Sequence, residues 1–97
     1  MTIPTGTALI TGASTGLGAV YADRLAKRGH DLILVARNGA QMEELAAKLR
    51  ADYGVAVDVI AADLTKSGDV TRIEQRLTDD AAITLFVNNA GMSLNGG

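Results

Sequence analysis

Cysteine is missing from this 97-residue chain, which removes disulfides and thiolate zinc sites together. A single histidine, His30, makes a histidine-built metal site a poor expectation. Tryptophan is absent, and only Tyr21, Tyr53 and Phe86 are aromatic, so the core has to be aliphatic. Neither sign of charge dominates: nine Lys and Arg against eleven Asp and Glu give a net charge of −2. That balance suits neither a nucleic-acid groove nor an anionic membrane surface. No apolar run approaches the ~20 residues that span a bilayer. Met1-Thr2-Ile3-Pro4-Thr5 carries neither the basic region nor the apolar stretch of a signal peptide. The expectation is a cytoplasmic protein with no nucleic-acid and no membrane partner.

What is present is globular in kind. Apolar residues make up 47% of the chain and charged residues 21%, which is enough to bury a core. The length allows one small domain, residues 1–97, that removes only roughly 60–70% of its unfolded surface from water.

The chain alternates strand and helix patterns. Thr7 to Thr11 is a short apolar run bounded by Gly6 and Gly12, read as a buried strand. Thr11-Gly12-Ala13-Ser14-Thr15-Gly16-Leu17-Gly18 follows and opens a helix over about Gly16 to Arg28, with Ser14 or Thr15 as cap. Leu17, Val20, Tyr21 and Leu25 are expected on its inner face, and Gly29 is a ready terminator. Asp31 to Ala36 contains five apolar residues in succession, as in a parallel strand buried on both faces. Asn38 caps a second helix, about Ala40 to Asp52, with Met42, Leu45, Ala46 and Leu49 inward and a Glu44–Lys48 surface pair; Gly54 ends it. Val55 to Ala62 is a third strand, its Asp58 pointing outward near an edge. Thr65 or Ser67 caps a third helix, about Gly68 to Leu77, with Val70, Ile73 and Leu77 inward. Ile83 to Val87 is a fourth strand, ending at Asn88-Asn89-Ala90-Gly91. The β-α-β-α-β-α-β order argues for a parallel α/β sheet with right-handed crossovers.

In such a sheet, ligands sit outside the carboxyl ends of the strands. Four suggestive groups fall there: the Gly-rich turn, Arg37, Asp63-Leu64 and Asn88 to Gly91. Glycine permits a sharp turn and a close approach to a ligand. A helix N-terminus, with its N–H groups and positive dipole end, suits an anion such as pyrophosphate.

Thr11-Gly12-x-x-x-Gly16-x-Gly18, Asp63-Leu64 and Asn88-Asn89-Ala90-Gly91 together resemble the N-terminal part of a short-chain dehydrogenase/reductase, over essentially the whole chain from Ala8 onward. The resemblance implies a Rossmann-like, doubly wound parallel sheet of strand order 3-2-1-4, truncated here to a partial NAD(P)-binding domain. It implies that Gly12 permits the turn, Gly16 lets the backbone approach the cofactor and Gly18 allows close helix–strand packing. Ser14, Thr15 and Leu17 would offer loop contacts. Asp63 would accept from the adenine amino group with help from the Leu64 backbone. Asn89 and Ala90, with Gly91 beside them, would meet the cofactor ribose, while Asn88 would hold strand 4 to its neighbours.

Arg37 bears on the choice of cofactor. In dinucleotide folds an acid about 20 residues past the glycines bonds the ribose 2′-hydroxyl and selects NAD. Here that place is Ala36-Arg37, with no carboxylate. An arginine grips a 2′-phosphate bidentately, at about 1.5–3 kcal/mol or roughly ten- to a hundredfold in affinity. NADP(H) is therefore expected over NAD(H). A surface arginine paired with Glu43 or Glu44 is the bland alternative. Thr15 is a counter-signal, since many NADP-preferring relatives carry a basic residue there.

The family's catalytic serine and Tyr-x-x-x-Lys lie beyond the fourth strand. Tyr21 and Tyr53 are followed four residues on by Leu25 and Val57, so neither makes that pair. His30 reads as a surface residue and Asp79-Asp80 as a solvated turn. The functional expectation is the N-terminal part of an NADP(H)-dependent oxidoreductase acting on carbonyls or alcohols, with a small-molecule substrate met in the full-length protein. A non-catalytic dinucleotide-binding or sensor module is the alternative. The family order would also leave Ile83 to Val87 as an uncovered apolar edge, inviting self-association.

Overall fold

The computed structural model describes residues 6–12 and 16–88. Seven elements alternate: β1 (Thr7–Thr11), α1 (Gly16–Lys27), β2 (Asp31–Ala36), α2 (Gly39–Tyr53), β3 (Val57–Ala61), α3 (Ser67–Asp79) and β4 (Ile83–Asn88). The four strands form one parallel sheet in the order β3-β2-β1-β4, the Rossmann-like arrangement.

Side chains alternate across a strand, so each strand supplies two cores. Ala8 and Ile10 of β1 and Leu32, Leu34 and Ala36 of β2 face α1 and α2, where they meet Ala22, Leu25, Ala26, Met42, Ala46 and Leu49. Leu9, Ile33 and Val35 face the other way, onto Ile73 of α3 and Ala62. This explains why Leu32 to Ala36 is apolar without interruption: every position is buried.

α1 differs from its expected orientation. Leu17, Val20 and Tyr21 are exposed, and the buried stripe is Gly18, Ala22, Leu25 and Ala26. Small residues at this spacing let the helix axis come close to the sheet, so Leu17, Val20 and Tyr21 turn outward while Leu25 is buried as expected. The helix ends in paired bonds, Gly29 N–H to Ala26 O at 3.0 Å and His30 N–H to Leu25 O at 3.1 Å, the Schellman pattern. His30 Nδ1 then lies 3.3 Å from the Gly6 carbonyl oxygen.

α2 begins as expected, with the Asn38 side chain accepting from Gln41 N–H at 3.1 Å, and stops at Gly54. Glu43 pairs with Arg50 at 3.7 Å on this helix, while Glu44 and Lys48 are both exposed and form no ion pair among the described residues. Arg50 also donates from its guanidinium to the Val57 carbonyl, tying the helix end to β3.

β3 is shorter than its apolar run. The ladder with β2 starts at Leu32↔Val57, and Ala56 N–H instead donates to Asp31 Oδ1 at 3.0 Å. Asp58 is exposed, as expected, and pairs with Arg76 of α3 at 3.5 Å.

At α3, neither Thr65 nor Ser67 is the cap. Lys66 occupies the cap position without a side-chain bond, because Thr65 is already engaged with Asp63. Of the three inward residues, Ile73 is fully buried, while Val70 and Leu77 are half-buried.

Candidate functional site

The sheet brings the carboxyl ends of its strands together. Thr11 stands opposite both Val35 of β2 and Asn88 of β4, and Ala36 stands opposite Ala61 of β3. Two bonds prolong this pairing beyond the strands. Gly12 N–H donates to Val35 O at 2.9 Å, and Ala62 N–H to Ala36 O at 3.0 Å. Gly12, Arg37 and Asp63 therefore leave the sheet at one edge, side by side.

Gly12 turns the chain there with φ +67°, a left-handed conformation that costs a residue with a Cβ about 1–2 kcal/mol. Thr11 just before it is fully buried. Gly16, Leu17 and Gly18 form the first turn of α1, where N–H groups have no helical acceptor and are available to an anion. Leu17 thus belongs to the helix rather than to the preceding loop. Gly18 is buried, which fits close packing of α1 against the sheet. Ser14 and Thr15 lie outside the described residues, as do Asn89, Ala90 and Gly91. Asn88 pairs with Thr11 in the ladder, so its backbone joins β4 to β1.

Arg37 directly follows β2 and is exposed. Among the described residues it forms no salt bridge, and Glu43 is engaged by Arg50 instead. The guanidinium is available to a ligand.

Asp63 is half-buried and tightly held. Its Oδ1 accepts from Thr65 N–H at 3.0 Å and from the Thr65 hydroxyl at 2.6 Å. Its own N–H donates to Asp69 Oδ2 at 2.8 Å. The two bonds from Thr65, the hydroxyl first, hold the Asp63 carboxyl below the ordinary carboxylate range, and the positive charges of Arg37 and Lys66 add to this. Asp63 therefore stays ionised in mild acid. Leu64, next in the chain, packs against the α3-side core.

Reading the sequence for ligand contacts passed over Thr65 and Asp69, the residues that fix Asp63. The available signal was the Asp-x-Thr spacing, which favours a side-chain turn. Among the described residues no group of His, Cys, Asp and Glu is arranged to hold a metal ion. Nor is any helix among them long and apolar enough to cross a membrane.

Known proteins share this arrangement. The family model described as short chain dehydrogenase matches residues 6–97. A very-long-chain 3-oxoacyl-CoA reductase of Lodderomyces elongisporus is 38% identical over 87 residues, covering 89% of this chain and 25% of its own length. Among solved structures, the bulky-bulky ketone specific alcohol dehydrogenase of Comamonas testosteroni superposes with a TM-score of 0.89 at 50% identity, over 94% of this chain and 36% of that one. A short-chain dehydrogenase of Sphingobium yanoikuyae, solved in complex with NADPH, gives 0.87 at 55% identity, over 91% and 34%. The chain thus spans about a quarter to a third of the length of these relatives. With the glycine turn, the sheet order and the family match in agreement, this chain belongs to the short-chain dehydrogenase family of oxidoreductases.

Proposed function

We propose that this chain forms the nucleotide-binding part of an NADP(H)-dependent reductase or dehydrogenase of carbonyl compounds and alcohols. The observation that carries this reading is Arg37: exposed, at the carboxyl end of β2, free of any salt bridge among the described residues. A 2′-phosphate suits that guanidinium, whereas a carboxylate in its place would repel the phosphate. The site suits a dinucleotide in other respects. Gly12 makes the turn at positive φ, the first turn of α1 has N–H groups without helical acceptors that suit an anion, and Asp63 keeps an acceptor oxygen, Oδ2, without a hydrogen bond among the described residues. NADPH is the molecule named with the Sphingobium yanoikuyae relative and with an L-sorbose reductase of Gluconobacter frateurii.

When bound, the nicotinamide supplies hydride to a carbonyl carbon or takes it from an alcohol. The work of this chain's residues is to hold the cofactor: Gly12, Gly16, Leu17 and Gly18 at the phosphates, Arg37 at the 2′-phosphate, Asp63 and Leu64 at the adenine. Ser14 and Thr15 are assigned to the phosphate loop, and Asn89, Ala90 and Gly91 to the ribose. No residue here is assigned to proton transfer, since the 97 residues contain no Tyr-x-x-x-Lys. The ketone substrate named for the Comamonas testosteroni relative supports a carbonyl as the reacting group. Cytoplasmic residence completes the reading.

Titration with NADPH and NADH tests the proposal. Tighter binding of NADPH is the expected result. Tighter binding of NADH removes the cofactor assignment, and the absence of saturable binding of either removes the function.

A further inference from the structure

We infer that Thr65 is a positioning residue for the Asp63 carboxylate, occupying Oδ1 so that Oδ2 is left as the fixed acceptor for the adenine amino group. This rests on the proposed role of Asp63 in adenine binding and deepens it by naming what orients the acceptor.

The geometry is specific. Two donors from one residue converge on a single oxygen, the Thr65 N–H at 3.0 Å and its hydroxyl at 2.6 Å. The second distance is that of a charge-assisted O–H···O⁻ bond. A carboxylate held twice at one oxygen does not rotate freely, so the direction of the other oxygen is set. The main chain beneath is fixed separately. Asp63 N–H donates to Asp69 Oδ2 at 2.8 Å, and Asp69 Oδ1 is held by Arg72 at 3.1 Å. Backbone anchoring thus falls to Asp69 and carboxylate orientation to Thr65. Removing the Thr65 hydroxyl leaves the Asp69 anchor in place and takes away one of the two holds on Oδ1. Because Thr65 is exposed, the substitution opens no core cavity.

Thr65 also acts on charge, since its bonds are the leading cause of the lowered Asp63 pKa. A neutral carboxylic acid is the weaker acceptor for an amino group, so the orienting residue also extends adenine recognition toward acid.

The test compares NADPH with its hypoxanthine counterpart, in which a carbonyl oxygen replaces the adenine amino group. That oxygen is an acceptor and repels Oδ2. Affinities of both are measured by fluorescence titration of the full chain at pH 7. The wild type is expected to prefer NADPH by about tenfold or more, a charge-assisted hydrogen bond against an acceptor–acceptor contact. Thr65→Val and Thr65→Ala are expected to shrink that preference several-fold, with the melting temperature nearly unchanged. Thr65→Ser keeps the hydroxyl and is expected to restore it. A merely structural role would lower both affinities together and leave their ratio alone. Asp63→Ala separates the two levels of the argument. If it abolishes the preference while both Thr65 variants keep it, the inference about Thr65 falls and the adenine reading stands. If Asp63→Ala keeps the preference, or the wild type has none, the adenine reading fails and the role of Thr65 with it.

Discussion

The Tyr53 hydroxyl donates to Asp23 Oδ1 at 2.7 Å and so joins the last residue of α2 to the middle of α1. The two helices cover the same face of the sheet, and this bond is their side-chain tie at the rim. It protects the protonated phenol: the hydrogen bond to Asp23 is the main cause of a Tyr53 pKa raised above its ordinary 10.0. The sign follows. A raised folded-state pKa contributes stability that is fully present below the unfolded value and is lost as pH rises through the folded one. Tyr53→Phe is expected to lower the melting temperature at pH 7. The gap between variant and wild type should close as pH rises beyond about 10, the unfolded tyrosine value. Melts followed by circular dichroism from pH 7 to pH 11 check this, and a pH-independent gap would refute it.

Gly6 enters β1 with φ +83°, and a Cβ there would overlap the Thr84 side chain of β4. Gly6→Ala carries the left-handed cost and a clash together, about 2–4 kcal/mol. Gly68 is the opposite case, lying in the first turn of α3 with open space where a Cβ would go. Gly68→Ala is expected to stabilise by about 0.5–1 kcal/mol, by restricting the unfolded chain and favouring the helix. Urea denaturation of the two variants should move the midpoint in opposite directions. A shared direction contradicts the argument.

Arg37→Ala tests the cofactor assignment at its own residue. An arginine–phosphate contact of about 1.5–3 kcal/mol corresponds to a roughly ten- to hundredfold loss of NADPH affinity. NADH has no 2′-phosphate, so its affinity should move by no more than about twofold. Equal losses for the two cofactors would mean that Arg37 acts on something they share. No loss for either would mean that it faces only solvent.

The fold was legible because its strands are. Leu32 to Ala36 has no polar interruption, which only a strand covered on both faces tolerates, and Asn38 and Gly54 bracket α2 with a cap bond and a left-handed stop. The α1 face was not legible, because periodicity ranks residues by size. Leu17, Val20 and Tyr21 share a face, but the sheet selects Gly18, Ala22 and Ala26, whose virtue is being small. The cap of α3 was misread for a related reason: a threonine beside an aspartate can bond the side chain before it bonds the helix, as Thr65 does. At the site, Gly12, Arg37 and Asp63 come together because each follows a strand of one parallel sheet, an inference that needs only the alternation. The support of Asp63 by Asp69, six residues on, depends on how the loop folds back and has no local signature.

Self-association through β4 remains a proposal, and the structure gives it a residue. Among the described residues β4 pairs with β1 alone. Phe86 packs toward the α3-side core and Val87 toward the other, while Thr84 and Leu85 are exposed, Leu85 at 38%. A strand with one unpaired edge and an exposed leucine is a template for another strand, and natural edges are blunted by charge, lysine above all. The 97-residue chain is therefore expected to scatter light as more than a monomer, with a mass that rises with concentration. Leu85→Lys is expected to return it toward the monomer mass without loss of helix signal, since the side chain already meets water. A monomer at every concentration, melting cooperatively, would remove the proposal. A variant that stays associated would place the contact elsewhere, with the exposed Leu17, Val20 and Tyr21 of α1 as the next surface to alter.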